Sequence, residues 1–200
     1  MIGVRLLPKP LCFRNTKRTE IMKNITLYHG TDVLFDEFDN KFISGKCSID
    51  QYGSGFYFFD NPAKTVRYGN IIVECNVSLM KVLDFHKQPR KGITRMDVER
   101  MILAAPDLEE KLNNVNDVEY YGFDKVLREA IGLYSTGDVV HTLNCIGTDF
   151  FAPEETHILL DKFTELTGYN CVCDKELGIY NVFTKRHIRV IRHASLDDYE

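Results

Sequence analysis

Tyr52-Gly53-Ser54-Gly55-Phe56-Tyr57-Phe58-Phe59-Asp60-Asn61-Pro62-Ala63-Lys64-Thr65-Val66-Arg67-Tyr68-Gly69 sets a glycine turn, an aromatic strand and a capped helix in one uninterrupted run. Gly53 and Gly55 suit a tight turn with positive φ or a close backbone approach. Phe56 to Phe59 predict a strand in which Tyr57 faces away from its phenylalanine neighbours, because side chains alternate along a strand. Asp60 or Asn61 caps a helix that carries Pro62 in its first turn. Tyr57 and Tyr68 then stand at the two ends of this unit, eleven residues apart, where both can face one pocket.

Upstream, Ile25-Thr26-Leu27-Tyr28 alternates toward His29-Gly30-Thr31 and predicts a strand ending in a glycine turn with His29 at its mouth. Phe35 and Phe38 follow, and the irregular stretch from Asp39 to Ser54 has the length of a functional loop. Downstream, Asn70 to Leu79 predicts a strong central strand, which Val82 to Phe85 extends or follows. Between about 94 and 166 the apolar spacing turns helical. Thr94-x-x-Asp97 reads as a helix cap, Pro106 to Val115 and Phe123 to Leu133 as two more helices, and Pro153 to Leu166 as another, stopped by Gly168. Asp138 to Ile146 fits helix or strand. Cys171 to Asp174 and Ile179 to Phe183 form a hairpin about Lys175 to Gly178, and Ile188 to Ile191 closes the sheet.

Composition bounds the partners. Two hundred residues with 44% apolar and 12% aromatic content suit one domain with a sizeable core. A formal charge of −4 supplies no global basic field, so charge does not require a nucleic-acid partner. The six cysteines lack paired CxxC spacing, and the histidines His141, His157, His187 and His193 assemble no metal pattern, so no metal is expected and reduced cytosolic thiols are. No apolar run approaches the roughly 18 residues of a membrane helix, which predicts a soluble, cytoplasmic chain with no membrane partner. Residues 1–21 are basic and interrupted by Pro8 and Pro10. They read as an unstructured leader or an upstream start ahead of Met22, with a single domain at 22–193 and a C-terminal tail at 194–200.

The order strand-His29-Gly30-Thr31, then Gly55-x-Tyr57-Phe58 with Tyr68 beyond it, then Tyr180-x-Val182-Phe183 in a late strand, resembles the diphtheria-toxin and poly(ADP-ribose) polymerase branch of the ADP-ribosyltransferase superfamily. The resemblance covers about residues 25–80 and 168–192, leaving the helical stretch 94–166 as an insertion. It implies an α+β fold, a split β-sandwich with a cleft, and NAD as the substrate. In such a site nicotinamide leaves as positive charge builds on the ribose, so the ligand must be held bent and away from water. The resemblance assigns His29 to a ribose hydroxyl and Gly30, with Thr31 beside it, to the nicotinamide carboxamide. Tyr57 and Tyr68 sandwich the nicotinamide ring.

One position departs from the family pattern. The family glutamate stands four residues before the aromatic of the late strand, and here that residue is Ile179. Similar members with an apolar residue there transfer a single ADP-ribose unit and are thought to recruit an acceptor carboxylate. Glu176 is the nearest substitute and is assigned a catalytic role with His29 and Tyr57. Glu119 and Glu155 are further sources of charge, and Asn181, on Ile179's strand face, can hydrogen-bond a ribose. Ser48 and Lys64 lie near the expected mouth as solvated groups. The resemblance therefore implies a mono-ADP-ribosyltransferase acting on a protein or nucleic acid, as a cytosolic effector, a phage-encoded modifier or an intracellular toxin. An NAD glycohydrolase and an inactive NAD- or ADP-ribose-binding module are the alternatives.

Overall fold

The strand patterns fold into one mixed sheet. The computed structural model describes residues 22–43, 51–88, 93–113 and 138–199; the basic leader, Ser48, Glu119 and the helix expected at 123–133 lie outside them. The strands are β1 (Lys23–Thr31), β2 (Phe56–Phe59), β3 (Ile71–Leu79), β4 (Lys81–Asp84), β5 (Tyr169–Asp174), β6 (Ile179–Val182) and β7 (Ile188–Ala194). Their order is β4-β5-β6-β2-β1-β3-β7, antiparallel except for β4 with β5.

Pairing along this sheet is uneven. β1 runs against β3 through nine residue pairs, whereas β1 meets β2 at the single pair Tyr28 and Phe59. Two well-laddered halves, β3 with β1 and β7, and β2 with β6, β5 and β4, are thus joined at a narrow seam. The expectation of two separate packed sheets is corrected to this extent: the Tyr28–Phe59 pair makes the sheet continuous. β1 and β2 part beyond that pair, and the cleft lies there.

The described α-helices all fall between β4 and β5: α1 (Arg95–Ile102), α2 (Leu108–Asn113), α3 (Val139–Phe150) and α4 (Thr156–Thr167). Parallel neighbours cannot be joined by a hairpin, so the helical stretch is the crossover that the β4–β5 pair requires. Thr94 caps α1 as expected: its hydroxyl accepts from the Asp97 N–H at 3.1 Å, and the Asp97 carboxylate accepts from the Thr94 N–H at 3.0 Å. The segment that fitted helix or strand is helix α3. Asp138 caps it by accepting from the His141 N–H at 2.8 Å, and it buries Val139, Leu143, Ile146 and Phe150 along one face. Gly168, left-handed at φ 77°, ends α4.

The C-terminal residues pack against the sheet. β7 runs through Ala194, and Leu196–Tyr199 forms a 3-10 turn that is held to the sheet. The Tyr199 ring meets the Tyr28 ring edge-on at 5.4 Å, and its hydroxyl donates to Glu74 at 2.9 Å.

Candidate functional site

Beyond their one shared pair, β1 and β2 border a cavity of about 500 Å³. His29, Thr31, Tyr57 and Tyr68 line it together with Phe35, Phe38, Glu37 and Asp39. Four of the residues expected at a nicotinamide site therefore converge from β1, β2 and the end of the turn at Pro62–Arg67. A larger cavity, about 620 Å³, lies on the α3 and α4 side of the glycine loop and holds none of these four.

Strand parity brings His29 to the cavity. It shares a face of β1 with buried Leu27, so its ring sits among aromatic rings, 5.2 Å from Phe38 and 5.8 Å from Phe58. Its Nδ1 lies 2.8 Å from the carbonyl oxygen of Tyr57. A carbonyl only accepts, so Nδ1 carries the hydrogen, and the imidazole side chain bridges the strands where the ladder has ended. Burial lowers the His29 pKa below its ordinary 6.5, and the Tyr57 carbonyl, which favours the cation, offsets this only in part. The neutral ring leaves Nε2 as an acceptor, without a partner among the described residues.

Tyr57 is half-buried between flanking phenylalanines that are buried, as the alternation predicts. Its hydroxyl donates to the Gly53 carbonyl oxygen at 2.7 Å. Asn61 supplies the cap, accepting from the Ala63 N–H at 2.9 Å, although the helix it starts is a 3-10 turn. Tyr68 closes that turn through its N–H to the Thr65 carbonyl at 2.8 Å and is 58% exposed, its ring 5.3 Å from that of Phe59. Thr31 lines the wall while accepting from the Val33 N–H at 3.1 Å.

Gly30 has a packing role. A Cβ there would collide with the Thr65 carbonyl and crowd the Tyr68 Cβ, so the glycine admits the 3-10 turn against β1 and thereby sets Tyr68. It is not part of the cavity wall. The wall carries carboxylates at Glu37 and Asp39 and no lysine or arginine among its described residues. The Lys41 ammonium pairs with Asp39 at 3.0 Å, so Glu37 beside the aromatic faces is the wall carboxylate that suits a cationic planar group.

The structure does not bring Glu176, Ile179 and Asn181 into this cavity. Glu176 lies exposed in the turn between β5 and β6, where its N–H donates to Asp174 at 3.0 Å. Ile179 is half-buried in the ladder, paired with Phe59 and Asp174. Asn181 is fully buried, and its Nδ2 lies 2.8, 2.9 and 3.2 Å from the carbonyl oxygens of Tyr52, Gly53 and Ser54. Three carbonyl acceptors fix that amide's orientation. It clamps the glycine loop and stands outside the cavity wall. Gly55, at φ 153°, has no room for a side chain because Asn181 fills it. Glu155 pairs with Lys111 and caps Ala152, and Lys64 is held by Asp60 at 2.8 Å and the Leu177 carbonyl at 3.0 Å.

Sequence reasoning missed several residues that build the site. Asp174 is 2% exposed at its side chain and accepts from the Tyr52 hydroxyl at 2.9 Å, tying the glycine loop to the β5–β6 hairpin. His86 Nε2 approaches the same carboxylate at 3.2 Å. Burial opposes ionisation of Asp174, but hydrogen bonds from the Leu177 N–H, Tyr52 and His86 outweigh it and hold the carboxyl below its ordinary range. His193, on β7, lies with Nε2 2.8 Å from the Phe35 carbonyl and pins the loop after β1. The only sequence signal for that loop was the Phe35 and Phe38 pair.

Among the described residues no group of three or more His, Cys, Asp or Glu side chains is placed to hold a metal ion, and no helix is long and apolar enough to cross a membrane. No protein-family model matches the chain, and no curated protein matches it. Among solved structures, the crystal structure of an anti-CRISPR protein aligns over 84% of this chain and 96% of that one, at 13% identity and a TM-score of 0.34. A similarity that low carries no argument about fold or activity.

Proposed function

We propose that the chain is a mono-ADP-ribosyltransferase of the diphtheria-toxin and poly(ADP-ribose) polymerase type that binds NAD in the β1–β2 cleft, releases nicotinamide and transfers one ADP-ribose unit to a protein or nucleic acid. The observation that carries this reading is the meeting of His29, Thr31, Tyr57 and Tyr68 around one cavity with a neutral, oriented imidazole. The narrow seam between two laddered half-sheets supports the split-sandwich form of the fold.

In this reading the nicotinamide ring, a cation while bonded to ribose, lies against Tyr57 and Tyr68, whose faces attract positive charge. His29 Nε2 accepts from a ribose hydroxyl. The C1′–N bond breaks with its electron pair passing to nicotinamide, which leaves neutral, and the ribose carbon takes the positive charge. A lone pair on the acceptor then bonds that carbon, and the acceptor's proton is released. Isoleucine at position 179 supplies no charge for chain extension, in keeping with single-unit transfer.

Incubating the full chain with NAD labelled in its adenylate half and a cell lysate tests the proposal. Label should enter macromolecules as single ADP-ribose units, and His29→Ala and Tyr57→Ala should each lower nicotinamide release at least about tenfold, the scale of losing one well-placed hydrogen bond or stacked ring. Free labelled ADP-ribose alone would make the protein a glycohydrolase, bound but intact NAD a binding module, and polymer would refute single-unit transfer.

A further inference from the structure

We infer that Glu37, in the loop after β1, supplies the negative charge that faces the ribose as nicotinamide leaves; this rests on the reading of the β1–β2 cleft as an NAD site. The late-strand position that carries the family glutamate holds Ile179, and Glu176 stands outside the cavity. Yet cleavage of the C1′–N bond moves positive charge from the nicotinamide ring onto the ribose, and a carboxylate beside that carbon lowers the barrier more than one in open water.

Only two described carboxylates line the cavity, and they differ in what they already do. Asp39 caps the 3-10 turn at Asn40–Phe42, accepting from the Lys41 N–H at 3.1 Å, and its other oxygen is paired with the Lys41 ammonium at 3.0 Å. Those hydrogen bonds hold its carboxyl below the ordinary range. Glu37 makes no ion pair or side-chain hydrogen bond among the described residues, so its charge is available to a ligand.

The loop that carries Glu37 is nevertheless anchored on both sides. Phe35 is tied through its carbonyl to His193, and buried Phe38 packs edge-on to His29 at 5.2 Å. A carboxylate without a partner among the described residues, on a loop anchored through Phe35 and Phe38 and on the same wall as His29, is placed to face positive charge on a ligand in the cleft. The cleavage and transfer steps are those given above. Glu37 faces the cationic carbon between them and receives the acceptor's proton as the new bond to C1′ forms.

Steady-state nicotinamide release and equilibrium NAD binding, measured on the full chain carrying E37Q, E37D or Y57A, test the assignment. E37Q keeps size and removes charge, and at an exposed, unpaired position it should leave the unfolding midpoint unchanged. Its kcat should fall on the order of a hundredfold with NAD affinity nearly intact, while E37D recovers part of the loss. Y57A should instead weaken NAD binding. A kcat for E37Q within twofold of the unmodified chain, with Y57A impaired, would overturn the role of Glu37 and leave the NAD site standing. Absence of NAD binding and nicotinamide release in the unmodified chain would overturn both.

Discussion

The β1–β2 cleft and the β5–β6 hairpin both carry polar side chains close to the glycine loop, yet they use them in opposite ways. In the cleft, His29 engages one ring nitrogen and leaves the other without a partner among the described residues, where Glu37 is likewise unpaired. In the hairpin, Asp174 accepts from the Tyr52 hydroxyl, His86, and the N–H groups of Glu176 and Leu177, and Asn181 spends its amide hydrogens on loop carbonyls. A buried carboxylate whose two oxygens are taken up by protein donors, as those of Asp174 are, is scaffold. A polar group with capacity left beside a cavity is positioned for a ligand. The glycine loop joins the two, since the Gly53 carbonyl oxygen accepts from Tyr57 on the cleft side and from Asn181 on the hairpin side.

The largest effect expected from this contrast is on the scaffold. Asp174→Ala orphans the Tyr52 hydroxyl and two N–H groups and should cost on the order of 3 kcal/mol of stability, because hydrogen bonds to a buried charge are among the stronger ones. Urea unfolding measures it. A midpoint equal to that of the unmodified chain would break the contrast, for it would mean that Asp174 holds nothing together.

A smaller effect separates the two regions by pH. His29 has a folded pKa below its ordinary 6.5, so just below that value the unfolded chain binds more protons than the folded one. Stability from keeping His29 neutral is present above 6.5 and is lost as pH falls through the folded pKa. His187 adds to the same window, its pKa lowered by burial and by Arg186. Asp174, also depressed, contributes stability above its ordinary 3.8 and loses it only as pH falls further. Acid unfolding of His29→Gln should therefore lack part of the decline just below pH 6.5 while keeping the lower one, with His187→Gln as the control. A decline of unchanged size in His29→Gln would show that the buried imidazole is not what titrates there.

Much of this arrangement was legible in the residues, for local reasons. The β2 aromatics, the Asn61 cap ahead of Pro62 and the hairpin about Lys175–Gly178 follow from side-chain alternation, capping chemistry and turn residues. Their conjunction placed His29, Tyr57 and Tyr68 together. What was not legible depended on contacts distant in sequence. Asn181 and Ile179 share a strand face, which made both plausible ligands, but only the fold shows that the 52–54 carbonyls occupy the amide of Asn181. Gly30 was read through the ligand's needs, whereas the packing of Thr65 requires it. Glu37 stood between Phe35 and Phe38 in a stretch with no periodicity to assign it a face, and Asp174 acts through Tyr52, 122 residues away in sequence.

The smallest expected stability change belongs to Tyr68→Ala, and it sharpens the contrast most. Tyr68 is 58% exposed, and its structural contribution runs through backbone: its N–H ends the 3-10 turn on the Thr65 carbonyl, which alanine preserves. The Cβ that packs near Gly30 is preserved as well. Losing the ring removes its contact with Phe59, so stability should change by only about 0.5 kcal/mol, as at other exposed sites. If the ring forms one face of the nicotinamide sandwich, NAD affinity should nevertheless fall roughly threefold to tenfold, the worth of one aromatic stack. Tyr57→Ala differs because it also removes the hydroxyl that holds Gly53, so stability and turnover should fall together. Thermal unfolding and NAD titration on the two variants separate these cases. Unchanged NAD affinity in Tyr68→Ala would take Tyr68 out of the site, and a loss of stability as large as that of Tyr57→Ala would make it scaffold.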